Sequence, residues 1–356
     1  MLTLAVALLF VSTSFMSEGN GTTVIPITQS WLNQQLVAWK PAQNASIGFG
    51  GVLQRASYGS LESPINTAQV QSADLGMLTA AGASCLRIDL NYAPWLLNQQ
   101  NYISKMDSVV NQIKAGGHCL VIADAGSESY RSGGAIPWSQ FKAAWVQRVQ
   151  TIAQRYRPYG YVVIKEVATY GPMVSDSLTN PLFQNVSDWL SLTQSLVNAV
   201  ASVSPSTKVG VSVATDCLSC QFYTQYLAGV EKIVGISMIG LDLYTASGFQ
   251  NVLSFLSSYG SGGKKLWIAE AWSTNIVSTA SSPSRATMDK EWMLVLYYFA
   301  LKIHATMVIP FYTDIFASYG SWPSQSSSII STYQAQRTPV FVEYHSLTST
   351  YGATVQ

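Results

Sequence analysis

The amino-acid sequence predicts a single α/β domain, a closed (β/α)8 TIM barrel, and three observations carry that expectation. Eight short apolar runs recur between Ser46 and Tyr312, near-continuous in the manner of parallel strands buried on both faces. Between them lie stretches with the 3.6-residue apolar period of helices. The chain has 356 residues with no composition shift or long linker, and a (β/α)8 barrel uses about 250 of them.

Taken in order, the chain opens with an apolar run from Leu2 to Val11, followed by Ser12, Thr13 and Ser14. A membrane span needs roughly 20 residues, whereas a run of this length suits the core of a signal peptide. Residues 1–17 are therefore expected to be an export signal, leaving no stable membrane span, and residues 18–45 a lead-in. The barrel is expected over residues 46–345, with a tail at 346–356. Its strands are expected to begin at Ser46 (SIGFGG), Cys85 (CLRIDL), His118 (HCLVIAD) and Tyr161 (YVVIKE). The second four begin at Lys208 (KVGVSVAT), Ile236 (ISMIGLDLY), Lys265 (KLWIAE) and Ala305 (ATMVIPFY). Phe141 to Tyr156, Trp189 to Val203, and Met288 to Ile303 read as helices.

A doubly wound sheet is the rival. It would carry a G-x-G-x-x-G turn after its first strand, and Gly48-Phe49-Gly50-Gly51 lacks that spacing. The run Gly260-Ser261-Gly262-Gly263-Lys264 precedes a strand, so it is a helix-ending loop and not a phosphate loop. With neither nucleotide-binding nor metal-binding patterns, no cofactor and no metal are expected.

Charge narrows the function classes. Nineteen basic and eighteen acidic residues give a net charge of +1, and charged residues make up only 10%. A nucleic-acid partner needs a basic footprint to displace counterions, and none exists here. Hydrophobic residues at 48% supply a core and exclude disorder. Sequons at Asn20, Asn44 and Asn185 suit an exported chain. Cys217 and Cys220, a lone C-x-x-C without other ligands, are expected to form a short disulfide.

Alternate residues of a strand share a face. Strand parity therefore groups Val162, Ile164 and Glu166 on the fourth strand, and Leu266, Ile268 and Glu270 on the seventh. It groups Arg87 with Asp89, Ile122 with Asp124, and Asp242 with Tyr244. Gly210, Ser212 and Ala214 of the fifth strand join the same inward sense. It sets Cys85 inward and Cys119 outward, so both are expected as buried thiols. Polar groups at the C-terminal ends of barrel strands line the mouth where such folds keep their chemistry. Two glutamates there are the minimal equipment for glycoside hydrolysis, one as proton donor and one ionised. Arg87 would keep Glu270 ionised, with the Tyr244 hydroxyl orienting it. Asp89 and Asp124 are expected to hydrogen-bond substrate. Trp95, Trp272, Phe311 and Tyr312 offer flat faces for sugar rings. No G-x-S-x-G elbow exists, and His118, His304 and His345 are badly placed for a triad.

These residues resemble the clan of retaining (β/α)8 glycoside hydrolases with catalytic glutamates on strands four and seven. Glycoside hydrolase family 5, of cellulases and mannanases, is the most similar, over about Ser46 to Thr338. The stretch "WSQFKAAWVQRVQTIAQRYRPYGYVVIKE" resembles that family's passage into strand four, which implies Glu166 as acid/base. "KKLWIAEAW" resembles the strand-seven passage, implying Glu270 as nucleophile. "CLRID" and "LDLY" match the strand-two Arg and strand-six Tyr, giving Arg87 and Tyr244. The sequence departs where the family has Asn before the acid/base, here Lys165, and Pro after it, here Val167. Asp124 and Asp242 stand at family histidine positions, and Phe311 or Tyr312 at a Trp.

The expected function is an exported retaining β-glycoside hydrolase cleaving a β-glucan or β-mannan type poly- or oligosaccharide. Its expected partner is that carbohydrate, and its oligomeric state is left open. A non-catalytic sugar-binding protein is the alternative, motivated by Lys165. A Schiff-base lyase using the Lys165 amine is the third, and requires a bulge to turn that side chain inward.

Overall fold

The computed structural model describes residues 27–41, 45–90, 99–124, 138–167, 185–218, 221–272, 283–319, 322–335, 337–353 and 355. The expected signal, Asn20, Asn44, Trp95 and Cys220 lie outside the described residues, as does the side chain of Cys217.

Eight parallel strands close into one barrel in sequence order. They are β1 (Gly48–Val52), β2 (Cys85–Asp89), β3 (Cys119–Ala123), β4 (Gly160–Lys165), β5 (Lys208–Ala214), β6 (Ile236–Leu243), β7 (Lys265–Ala271) and β8 (Met307–Pro310). The helices are α1 (Gln29–Ala38), α2 (Ala68–Ala81), α3 (Gln100–Ala115), α4 (Trp138–Tyr156) and α5 (Val186–Val203). After them come α6 (Gln221–Val230), α7 (Ala246–Tyr259), α8 (Pro283–Lys302), α9 (Ser326–Ala335) and α10 (Pro339–Tyr351).

Two apolar layers hold the fold. The inner one fills the barrel with Val52, Cys85, Val121, Ala123, Val162, Met238, Trp267, Met307, Ile309 and Phe311. Trp267 reaches across the barrel because β4 starts with a glycine. A Cβ on Gly160 would stand 2.6 Å from the indole ring. The outer layer lies between strands and helices, and the lead-in joins it. The Thr28 hydroxyl caps α1 by accepting from the Trp31 amide, and Trp31 and Trp39 pack on Phe249 of α7. At the other end α10 runs six residues beyond position 345, where Tyr344 donates to the Gly50 carbonyl at 2.8 Å and Ile47 bridges Gly352.

Three parity expectations are corrected here. In β4 the register shifts between Val162 and Ile164, so Val163 and Ile164 both join the outer layer. An extra residue in a strand reverses the facing of everything after it, and Lys165 consequently turns into the barrel. In β7 the outer-layer residues are Leu266 and Ile268, and shifts against both neighbours bring Glu270 inward. In β3 the inner set is Cys119, Val121 and Ala123, not Ile122 and Asp124. Cys119 therefore faces Cys85 directly, with Cα atoms 4.4 Å apart in matching register, and the two form a disulfide instead of buried thiols.

Candidate active site

The C-terminal mouth of the barrel gathers charge that its lower layers lack. From β2, Arg87 and Asp89 both point inward and are fully buried. The guanidinium donates from Nε to Asp89 Oδ1 at 2.5 Å, from Nη2 to Asp89 Oδ2 at 2.9 Å and to Glu270 Oε2 at 3.0 Å. Its Nη1 donates to the carbonyl of Ala269, the residue at the β7 register shift. A fixed fork of donors matches two carboxylates and a carbonyl at once.

Lys165 completes the cluster. Its Nζ lies 2.5 Å from Glu270 Oε2 and 3.3 Å from Asp89 Oδ2, and 4.9 Å above the Phe311 ring. Burial lowers the affinity of this amine for its proton, but Glu270 and Asp89 more than offset that, leaving it above the ordinary lysine value. Burial pushes the Glu270 carboxyl up from its ordinary range, against the pull of Lys165 and Arg87 and with the push of Glu166 and Asp89.

Glu166 follows β4 directly, as the residue after Lys165. Its amide donates to the Ser212 carbonyl at 2.9 Å, and it is half-buried. Its φ is +49°, a left-handed conformation that side chains other than glycine rarely adopt. The β4 bulge and this turn together let two consecutive residues, Lys165 and Glu166, serve the same mouth. Asp242 of β6 stands in register with Glu270 and accepts from the Ser212 hydroxyl at 2.7 Å.

The remaining sequence candidates divide. Tyr244 follows β6 and is half-buried against the outer layer. Tyr312 is half-buried, edge-on to Phe311 and Trp272, and burial, with the Glu270 charge, raises its phenol. Trp272 is 1% exposed and packs on Trp292, so it offers no open face. Asp124 is carried away from the mouth: Arg148 of α4 and the Tyr161 hydroxyl donate to it, and its carboxyl is pushed up to about 6 by burial. Asn185 caps α5, its Oδ1 accepting from the Asp188 amide. Sequence reasoning took Ser212 only as a small residue; a lone hydroxyl in an apolar strand was the signal for its bond to Asp242.

This constellation gathers buried carboxyl groups around two cations at the C-terminal end of the barrel. No protein-family model and no curated protein matches the sequence. Solved structures do match. An exo-β-1,4-mannosidase from Opitutaceae bacterium strain TAV5 aligns over 85% of this chain at TM-score 0.60 and 9% identity, the chain spanning 59% of that protein. An endoxylanase of glycoside hydrolase family 10 from a sugarcane soil metagenome aligns over 89% of this chain and 99% of its own, at TM-score 0.54 and 12% identity. A family 1 β-glucosidase from Thermotoga maritima aligns over 88% and 99%, at TM-score 0.59 and 10% identity. At these identities the likeness is one of fold, a (β/α)8 barrel shared with glycoside hydrolases.

Proposed function

We propose that the chain is a glycoside hydrolase that cleaves a β-linked poly- or oligosaccharide of the β-glucan or β-mannan type by double displacement. The observation that carries this reading is Glu270, a buried carboxylate at the end of β7 that Arg87 and Lys165 hold in the barrel mouth. Glu270 would attack the anomeric carbon and form a glycosyl-enzyme. Glu166 would protonate the departing oxygen and then deprotonate the incoming water. The strained turn at Glu166 supports an assignment to the chemistry, since such conformations cluster at functional sites. The fold shared with a mannosidase, an endoxylanase and a β-glucosidase supports the same class.

Asp89 supports the site through its ion pairs with Arg87 and Lys165. Export is part of the proposal: residues 1–17 suit a signal, and the Cys85–Cys119 disulfide suits an oxidising compartment. A sugar-binding protein without turnover is the second reading, favoured by the close ion pair between Lys165 and Glu270. The bulge does turn Lys165 inward, as a Schiff-base enzyme would require. Two carboxylates nonetheless keep its amine protonated, and a protonated amine is no nucleophile.

Release of reducing sugar from a panel of β-glucans, β-mannans and xylans tests the reading, with Glu166→Ala and Glu270→Ala as controls. Turnover by the native chain and its loss in Glu270→Ala are expected, and proton NMR of the first product should show a retained anomer. An inverted first anomer removes Glu270 as nucleophile. Saturable binding that survives Glu270→Ala, with no turnover of any substrate, selects the second reading. Borohydride with a carbonyl substrate should leave no adduct on Lys165.

A further inference from the structure

The mouth holds more carboxyl groups than cations. Asp89, Glu166, Asp242 and Glu270 face Arg87 and Lys165, and both cations are in contact with Asp89 and Glu270. Asp242 is fully buried, and among the described residues no cation lies within ion-pair distance of it. Its Oδ2 accepts from Ser212, its own carbonyl accepts from Thr215, and its Oδ1 is buried without a protein partner. An ionised carboxylate in such a place would be costly, whereas a protonated one needs only an acceptor for its hydrogen.

We propose that Asp242 works as a neutral carboxylic acid whose Oδ1 hydroxyl donates to the ligand in the mouth beside Glu270. The ligand's chemistry, a sugar hydroxyl or ring oxygen, rests on the glycoside hydrolase reading; the neutral state of Asp242 does not. Burial, Glu166 and Glu270 push its carboxyl well above the ordinary range, while Arg87 and Lys165, both engaged elsewhere, pull against them. Ser212 donates to Oδ2 and so leaves the proton on Oδ1. A neutral Asp242 also spares Glu270 a second negative charge one strand away, so Glu270 can stay ionised. Asp242 is thus a positioning and ligand-contacting residue, distinct from the reacting pair.

The experiment uses the full chain labelled with carboxyl-13C aspartate. Native protein at pH 7 should show a protonated-carboxyl resonance that Asp242→Asn removes and Ser212→Ala shifts. Ser212→Ala assigns the signal without altering Asp242, so the test stands even if Asp242→Asn fails to fold. If the resonance that Asp242→Asn removes or Ser212→Ala shifts is a carboxylate titrating at the ordinary aspartate value, the proposal is overturned. In kcat/KM, Asp242→Asn, which keeps a donor, should stay within about threefold of native on the acid side and extend activity to higher pH. Asp242→Ala, which has none, should lose about tenfold, the worth of one neutral hydrogen bond. Equal losses in the Asn and Ala variants overturn the donor role. Absence of turnover by the native chain on every sugar refutes the hydrolase reading instead, and the resonance still decides the state of Asp242.

Discussion

Lys165 binds Glu270 more closely than Arg87 does, at 2.5 Å against 3.0 Å. An opposite charge at such range lowers a carboxyl pKa by about 1–3 units. Lys165→Met keeps the length of the side chain and removes its charge, so Glu270 should take up its proton at higher pH. The acid limb of kcat/KM reports the group that must be ionised, and it should move upward by about 1–3 units. An unmoved acid limb would mean that Glu270 is not the group titrating there. The sequence placed Lys165 beside Glu166 but on the opposite face. A regular strand would have kept it there, and only the bulge brings it to Glu270.

Strand boundaries were legible because buried parallel strands are marked by apolar runs that polar loops interrupt. The expected starts at Cys85, Lys208, Ile236 and Lys265 are the observed ones, and the others differ by one or two residues. Facing was less legible. Periodicity assumes one residue per register step, and β4 and β7 break it in the half nearest the mouth. Glu270 reaches the mouth through the β7 shifts, and Glu166 through the left-handed turn that follows the β4 bulge. On β3 parity was regular but anchored on Asp124, whose partner Arg148 lies 24 residues away on a helix, invisible to strand spacing. The same anchor hid the disulfide. Bridging positions 34 residues apart restrains the unfolded chain, and replacing Cys85 and Cys119 together by Ala should cost about 2–4 kcal/mol in urea unfolding. An unchanged midpoint would show that the bond adds nothing to stability. Gly160→Ala tests the barrel filling. Its Cβ would collide with the buried Trp267 ring, itself stacked on Tyr159, and overpacking of this kind costs about 1–3 kcal/mol. A variant as stable as the native chain would show that the ring can move aside.

At the scale of the whole fold, buried acidic groups outnumber buried basic ones among the described residues: Asp74, Asp89, Asp124, Asp242, Glu270 and Asp289 against Arg87, Arg148 and Lys165. The chain as a whole carries +1, so the excess of carboxyls is a local feature of the interior, where burial favours their protonated form. Beside the mouth, Arg55 shows how. Its guanidinium pairs with Asp314 at 2.6 Å and covers the Trp322 ring at 4.2 Å, while Asp74 receives the Arg55 amide and keeps Oδ1 unpartnered. The Arg55 guanidinium is committed to Asp314, and burial together with Asp314 pushes Asp74 up to about 8. An aspartate in the unfolded chain titrates near 3.9. Between those values the folded state binds the extra proton, so stability is fully present below about pH 4 and falls as pH rises toward 8. Asp124, raised to about 6, adds to the fall over the lower part of that window. The slope for one such group is at most about 1.4 kcal/mol per pH unit. Asp74→Asn preserves the acceptor for the Arg55 amide and removes the titration. Urea midpoints measured from pH 5 to pH 8 should decline in the native chain and decline less in Asp74→Asn, so that the variant is the more stable of the two at pH 8. Parallel curves would show that Asp74 is already ionised in the folded protein, and that Arg55 serves both carboxylates after all.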